Sequence, residues 1–571
     1  MMIEHSSIHL DNLPDEILLI IFNKLNNTTL LYSLLGVNKR LNKILYDSIF
    51  TNHLTLLRRK PNHLIMFQSL SSHLIYPLVD QILNRFCLEI LSEIHDKIEW
   101  LDLESSSMER ILLATNYPNL SGLGLYNIEA KRAIDLFSDE TRFIDTLKKQ
   151  IVSLIIDFDT NGKQTSTEYV YVSLFTHIFS TFTNLRSLKF GLSPIWCQLL
   201  VFSTPPSTVI CSNLLELHVS LQRFIDCLYL VDGRFNQLHT LHVHIGVISS
   251  SRILINNKEN LPNLRNFSLQ SDMYTSEYDE LIVPLLHRMI NIEKLDLSLI
   301  VCVRKTFVDG YDLNINIVDH MRKLNRFTFN IRSESRFYNK FNLPLNENIQ
   351  NTFKDFKNNK IISCVDYFQD MNYSQCHIYS QPYKLKYYHK ITNNFRGGLF
   401  KCVRKVELFD EHPFEHEFFL LIQKSFPLME NLTVINHKRQ KNKQFRKLIN
   451  ENQEFSIIKY PHLIHLDFAQ TSKDYHKQFL FDNKICLPNG VTVRMDYQIA
   501  KKIMDAIKAG VEKALEATEQ KKAGDKQQKA NDPNVKPSER MDAEFEANKA
   551  AAKAAEHHAK AEEHKNKHTH N

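Results

Sequence analysis

With 571 residues, 43% of them hydrophobic and 23% charged, and a net charge of +6, the chain has the composition of a folded protein. Its basic excess is too small to argue for nucleic acid, and 13 glycines disfavour tight-turned barrels and glycine-rich nucleotide folds. The nine cysteines (Cys87, Cys197, Cys211, Cys227, Cys302, Cys364, Cys376, Cys402, Cys486) hold no C-x-x-C pair and no zinc spacing, so buried free thiols in a reducing compartment are expected.

The opening MMIEHSSIHLDN lacks the basic-then-apolar order of a secretory signal. No stretch approaches the ~18 apolar residues of a membrane span, so a cytoplasmic or nuclear protein without membrane association is expected. Residues 10–50 then read as three short helices. Pro14 suits a first helical position, and Asp15 and Glu16 complement the helix dipole. Ile17, Ile21 and Leu25 fall at i, i+4 and i+8, with Leu18 and Phe22 in the adjacent stripe. Asn26-Asn27 stops this helix, and Thr28 or Thr29 can cap the next. Leu30, Leu34 and Val37 form the second seam; Leu41, Ile44, Leu45 and Ile49 form the third. Three helices in about forty residues bury little surface alone, yet each is apolar on more than one face. One face is read as closing a small core and the other as meeting a partner.

From Lys97 onward the pattern L-x-x-L-x-L recurs with apolar substitutions. It appears as IEWLDL (98–103), LSGLGL (120–125), IVSLII (151–156), LRSLKF (185–190), LLELHV (214–219) and LHTLHV (238–243). It continues as LRNFSL (264–269), IEKLDL (292–297), LNRFTF (324–329), VRKVEL (403–408), MENLTV (429–434) and LIHLDF (463–468). Successive starts are mostly about 22 to 34 residues apart, near or above the leucine-rich-repeat period, and several follow an Asn, as in PNL and TNL. Each unit is read as a strand with alternate residues buried, followed by a helical or irregular return. The fold class expected is α/β: N-terminal helices, then a leucine-rich-repeat-like solenoid with a parallel sheet. Residues 330–400 are expected to be an insertion or degenerate repeats. Beyond Tyr497 one helix with the stripe Ile503 or Met504, Ile507, Val511 and Leu515 is plausible, and the Ala/Lys/Glu-rich remainder is expected to be disordered or a solvated single helix.

Candidate chemistry is sparse. HPFEH, His412 to His416, matches H-x-x-E-H, which on a helix can hold zinc. Its position after a strand, with Pro413 opening a helix and Asp410, Glu411 and Glu415 as dipole-complementing acids, favours a structural role. Gly397-Gly398 lacks a following Lys-Ser/Thr and reads as a turn. The basic run His437–Lys447 (Lys438, Arg439, Lys441, Lys443, Arg446, Lys447) reads as a solvated loop between repeats, and the histidines His557, His558, His564, His568 and His570 read as part of a solvated tail. No metal, cofactor or catalytic set is expected.

The opening segment resembles the F-box. The family pattern Leu-Pro-x-Glu-hydrophobic-Leu is matched by Leu13, Pro14, Glu16, Ile17 and Leu18, followed by Ile21-Phe22, Leu25 and a Val-x-Lys-Arg at Val37, Lys39 and Arg40. Leu41 stands where the family often has Trp, and Thr29 where an Asp often precedes a Leu-Leu pair. The stretch from HIYSQPY (377–383) through NNFRGG, PFEHEFF and YPHLIHLDF resembles the later part of lineage-expanded invertebrate F-box proteins. The resemblance implies an F-box at 8–58, a helical linker at 59–97, an irregular leucine-rich-repeat solenoid at 98–496 and a charged tail at 497–571.

It further implies docking on a Skp-type adaptor through Leu13, Pro14, Glu16, Ile17, Leu18, Ile21, Phe22, Leu25, Val37 and Leu41. The adaptor bridges to a cullin–RING scaffold, so the chain is expected to be a non-catalytic substrate receptor of a ubiquitin ligase. Strand alternation nominates target-facing residues: Trp100, Asp102, Glu216, His218, Thr240, His242, Lys294, Asp296, Arg326, Thr328, Lys405, Glu407, His465 and Asp467. A non-degradative F-box scaffold, and an interaction solenoid using the basic loop, remain open.

Overall fold

The computed structural model describes residues 13–61, 73–138, 147–159, 168–191, 199–202, 213–250, 260–302, 304, 306–336, 344–356, 360–440, 457–481 and 485–566. The chain divides into two compact units, Met1–Tyr383 and Lys384–Asn571. The first begins with four helices rather than three. In α1 (Asp15–Phe22) Pro14 is the N-cap, one place before the first turn. The second helix, α2 (Asn27–Leu34), is capped by Asn26, whose side chain accepts from the Thr29 N–H at 3.2 Å, and not by a threonine. The expected third helix is broken in two, α3 (Lys39–Leu45) and α4 (Ser48–Thr51). Asp47 accepts from the Ile49 N–H and starts α4 afresh.

The helices run straight into the sheet. Strand β1 (His53–Pro61) pairs antiparallel with β2 (His73–Pro77) and parallel with β3 (Trp100–Glu104). The segment expected as the end of the helical module and a helical linker therefore carries two strands, and among its described residues the helices of the linker run from Asp80 to Lys97. Beyond β3 come β4 (Gly122–Ile128), β5 (Ser153–Phe158), β6 (Ser187–Phe190), β7 (Glu216–Arg223), β8 (Thr240–Val247), β9 (Asn266–Thr275), β10 (Lys294–Cys302) and β11 (Arg326–Arg336). Each lies parallel beside its predecessor. The sheet closes with the antiparallel pair β12 (Ile361–Phe368) and β13 (Tyr373–Ser380), β13 lying against β11. Among the described residues this sheet has thirteen strands.

The motif explains the register. In all nine segments of this unit the strand starts at the third residue of L-x-x-L-x-L. The fourth residues then form one buried row, Leu54, Leu101, Leu123, Leu154, Leu188, Leu217, Leu241, Phe267, Leu295 and Phe327, each paired with the next. A slip of one residue would turn that row to the polar side, at about 2 kcal/mol for each leucine exposed. Backbone bonds lock the same register. The carbonyl of Asn52 accepts from the N–H groups of Glu99 and Trp100, that of Glu99 from Ser121 and Gly122, and so on to Glu293, which accepts from Asn325 and Arg326.

The Asn residues preceding the motifs form a second ladder. The Asn119 side chain donates to the Asp96 carbonyl (2.6 Å), Asn184 to Lys149 (2.7 Å), Asn213 to Thr183 (3.2 Å), Asn263 to Asn236 (2.8 Å) and Asn291 to Pro262 (2.8 Å). Each amide thus satisfies a carbonyl of the preceding turn.

The buried row and the helices share one core. It runs from Leu18 and Phe22 through Leu31, Leu45 and Phe50 to Ile378. Thr28 Oγ1 donates to the Thr55 carbonyl at 2.8 Å. The Arg85 guanidinium donates to the Tyr32 and Leu35 carbonyls.

Residues 330–400, expected as an insertion or degenerate repeats, contain the end of β11, the β12–β13 hairpin and the start of the second unit. That unit has its own sheet in the order β14 (Tyr387–Ile391), β15 (Lys405–Phe409), β16 (Asn431–Asn436), β18 (His465–Thr471) and β20 (Thr492–Arg494). A small parallel pair, β17 (Ile458–Lys459) with β19 (Ile485–Cys486), stands apart from it. The motif again begins each of β15, β16 and β18 at its third residue. In its described residues the tail holds two helices rather than one. Helices Tyr497–Asn531 and Pro537–Asn566 form an antiparallel hairpin whose buried seam is Ala509, Ala543, Ala547, Ala550, Ala554 and Ala561. Glu512–His557 (2.6 Å) and Glu516–His558 (3.1 Å) tie the two together. No described helix is long and apolar enough to cross a membrane.

Candidate functional site

Two surfaces remain once the core is assigned, an apolar face on α1 and a polar face on the sheet. On α1, Leu18 and Phe22 are one turn apart and point inward, Phe22 meeting Phe50 edge-on at 6.3 Å. With Leu41 they belong to the protein's own core, so these three residues, expected to meet a partner, are already occupied. Ile17, Ile21, Leu25 and Val37 are exposed, Pro14 and Glu16 lie at the surface, and Leu13 is half-buried. Ile20, not among the expected contacts, is the most exposed apolar residue of α1, at 60%. The run LLII makes its emergence inevitable: once 18 and 22 face inward, 17, 20 and 21 share the outer face. Arg40 pins the entry to the helix, its guanidinium donating to Asp15 (Nε at 2.8 Å) and to the Leu13 carbonyl.

On the sheet, the third and fifth motif residues stand opposite the buried row. One row is His53, Trp100, Gly122, Ser153, Ser187, Glu216, Thr240, Asn266, Lys294 and Arg326. The next is Thr55, Asp102, Gly124, Ile155, Lys189, His218, His242, Ser268, Asp296 and Thr328. The nominated residues of the first unit therefore fall on two adjacent rows. Lys294 and Arg326 are exposed; Trp100, Asp296 and Thr328 are half-buried. In the second unit Lys405 aligns with Asn431 and His465, and Glu407 with Thr433 and Asp467. His389 lies 3.5 Å from Glu407, and Arg494 lies 3.4 Å from Asp467.

Asp102 is a correction. It is 5% exposed and accepts from Trp100 Nε1 (2.8 Å), His53 Nε2 (3.0 Å) and Thr55 Oγ1 (3.2 Å). Burial alone would raise its pKa, but these donors outweigh burial and hold the carboxyl below its ordinary value. The carboxylate orients the indole and is not open to a ligand. The indole in turn lies over β4: a Cβ at Gly122 would fall inside the Trp100 ring, and one at Gly124 would strike the Asp102 carboxylate. Gly122→Ala is therefore expected to displace Trp100 into water and shift its fluorescence to the red; an unchanged spectrum would refute this packing.

At the centre of the face His218 and His242 stack at 4.1 Å, and His218 Nε2 lies 2.6 Å from Glu216 Oε1. Burial pushes His242 down to about 4, helped by the neighbouring His218 and Lys189 against the pull of Glu216. Burial also lowers His218, while on Glu216 the His218 bond and Lys189 overcome burial and lower the carboxyl. At neutral pH the pair is thus neutral imidazole on ionised carboxylate. An unfolded His titrates near 6.5, so the unfolded chain takes up a proton that folded His242 refuses. Stability is full above about pH 6.5 and falls by roughly 1–3 kcal/mol towards pH 4. Urea midpoints at pH 7 and 5 are expected to differ less in His242→Asn than in the wild type.

Alternation within a six-residue motif missed the rest of the face. Strands β7 to β11 run past the motif and add a third row, Ser220, His244, Gln270, Ser298 and Asn330. The second-unit strand β14 escapes the pattern because LKYYHK carries Tyr388 and Lys390 at the two leucine places.

The other motifs resolve separately. His412 precedes the helix His416–Ser425 and lies 3.4 Å from Asp410, while His416 is buried beside Gln478. The two imidazoles of HPFEH therefore do not sit one turn apart on a helix. Gly397 and Gly398 both have positive φ. Of the basic run, 441–447 lie outside the described residues, as do His568 and His570 of the tail and Cys197 and Cys211. Among the described residues no group of three or more His, Cys, Asp or Glu is placed to hold a metal ion. No protein-family model matches the chain, and no curated protein matches it.

Proposed function

We propose that the chain is the substrate-recognition subunit of a Skp–cullin–F-box ubiquitin ligase. The observation that carries the reading is the outer face of α1. Ile17, Ile20 and Ile21 stay exposed on a helix whose inner residues are already satisfied, with Leu25 exposed in the turn just beyond its end, and the surrounding Leu-Pro-x-Glu pattern resembles the F-box. Exposed isoleucines in a row cost solubility unless a partner covers them; a Skp-type adaptor supplies the apolar groove. The regular L-x-x-L-x-L register supports reading the sheet as a leucine-rich-repeat solenoid whose polar rows present a mixed surface to a target protein.

On this reading the chain performs no bond chemistry. It holds a target lysine near the charged ubiquitin-conjugating enzyme and makes their encounter effectively intramolecular. Direct titration of the full chain with a purified Skp-type adaptor tests the docking: saturable binding supports it, and none at about 10 μM, an affinity of about −7 kcal/mol, overturns it. Ubiquitination of a captured target in a reconstituted ligase then separates a receptor from a non-degradative scaffold.

A further inference from the structure

The polar face of the thirteen-stranded sheet is closed at one end and exposed at the other. Over its first strands Leu57, Tyr126 and Ile155 form a small buried cluster, with Trp100 and Ile75 of β2 packed against it. Exposure then rises along the row of third motif residues. Gly122 is buried, Ser187, Glu216, Thr240 and Asn266 are half-buried, and Lys294 and Arg326 are exposed. The last two are register partners on parallel strands, so two cations stand about 4.8 Å apart at the backbone. Like charges so placed repel. The acids further along are already used, Glu216 by His218 and Asp272 by His244, and in the turn before β10 Arg265 lies 3.5 Å from Glu293. Among the described residues neither the Lys294 ammonium nor the Arg326 guanidinium makes a hydrogen bond or ion pair, and the same holds for Arg322 and Lys323 in the turn leading to β11. Asp296 on β10 and Asp319 ahead of that turn set two acids against these four cations.

We propose that Lys294 and Arg326 anchor an acidic segment of the target protein, an Asp or Glu carboxylate docking between them. The inference rests on the reading of the sheet as the target surface, and it names the class of target that surface takes. A carboxylate offsets the repulsion between the two cations and offers acceptors to both. The Arg326 guanidinium presents a planar fork that matches two carboxylate oxygens, and the Lys294 ammonium adds a point charge beside it. A basic segment would meet two more unpaired cations, and an apolar one would strip them of water and leave them unpaired. Arg322 and Lys323 carry the positive charge on past the strand starts. Single charges spread over two strands and a turn suit successive carboxylates of one chain.

Fluorescence anisotropy of a labelled, end-blocked hexaglutamate peptide titrated with the full chain reads the site. Saturable binding near about 10 μM is expected at low salt, weakening as salt screens the attraction. Lys294→Gln with Arg326→Gln is expected to weaken it about tenfold. Both positions are exposed and lose a repulsion, so the thermal melt of that variant is expected to hold or rise. Lys501→Gln with Lys508→Gln makes the same change in net charge at exposed positions of the tail and is expected to leave binding within about twofold. No binding by the wild type at about 100 μM overturns the proposal. So does an equal loss in the tail variant, which would make net charge the cause. Displacement of the peptide by inorganic phosphate at about 1 mM and constant ionic strength also overturns it, since the pair would then be a phosphate site. The same variants are titrated with the Skp-type adaptor. Adaptor binding untouched by the Lys294 and Arg326 changes supports two separate surfaces. A chain that takes the peptide but not the adaptor removes the ligase reading and leaves this site standing.

Discussion

Ile20→Asp combined with Ile21→Asp is expected to lower the affinity for a Skp-type adaptor by at least about 100-fold while leaving the protein folded. Removing two isoleucines from an apolar interface forfeits about 2 kcal/mol each. Any carboxylate carried into the contact adds an unpaired charge. Four kcal/mol is already nearly a thousandfold in binding. Folding is spared because both residues are exposed, Ile20 at 60% and Ile21 at 38%.

The contrast with Leu18 sharpens the test. Leu18 is 0% exposed, so Leu18→Ala opens a cavity costing about 2–5 kcal/mol and would lose binding by loosening the helices. A calorimetric titration run beside a thermal melt distinguishes the two. Full binding by a folded double variant would remove the α1 face from the interface.

Much of the sheet is legible in the sequence because one rule governs it. A leucine at the fourth and sixth places of each motif must be buried, and burial of alternate residues leaves the third and fifth on the other side. That reasoning places Glu216, His218, Thr240, His242, Lys294 and Arg326 on shared rows. It cannot see Asp102, which is closed off by Trp100, His53 and Thr55, since those contacts depend on how the Trp100 ring lies over Gly122 and the carboxylate beside Gly124. Nor can it see the first repeat, TNHLTL at residues 51–56, where Thr51 holds the place of the leading leucine.

The division at Tyr383 is equally silent in the motif, because the same pattern occurs on both sides of it. Within the segment between, the chain passes through the helix Asn346–Asn351 to β12, and the antiparallel return strand β13 fits between β12 and β11. The terminal hairpin misleads for a different reason. Hydrophobicity ranks Met504, Ile507, Val511 and Leu515 above alanine, yet alanines at steps of 4, 3 and 4 let two helices approach closely, and the larger residues are left outside. For α1 the difficulty is the reverse. The segment is apolar on every side, and only the packed structure tells which isoleucines are surplus.

Phe175→Ala is the second change expected to have a large effect, and it reaches the polar face from behind. Phe175 is fully buried on the helix Glu168–Thr181, its ring 5.1 Å from Phe179, 5.4 Å from Phe190 and 5.9 Å from Phe202. Truncation removes the partner of three rings at once, and a loss of about 3–5 kcal/mol is expected in the urea transition read by near-UV circular dichroism. The exposed Leu88, at 77%, supplies the control: Leu88→Ala is expected to move the same transition by less than about 0.5 kcal/mol. Phe190 is the sixth residue of its motif, and Lys189, beside it in β6, points to the opposite face. A void behind Phe190 therefore loosens the strand that carries Lys189 and borders Glu216. On the receptor reading, target binding falls although no residue of the polar rows has changed, while adaptor binding at α1 holds wherever the chain is still folded. A Phe175→Ala variant with wild-type stability would show that this helix does not brace the sheet.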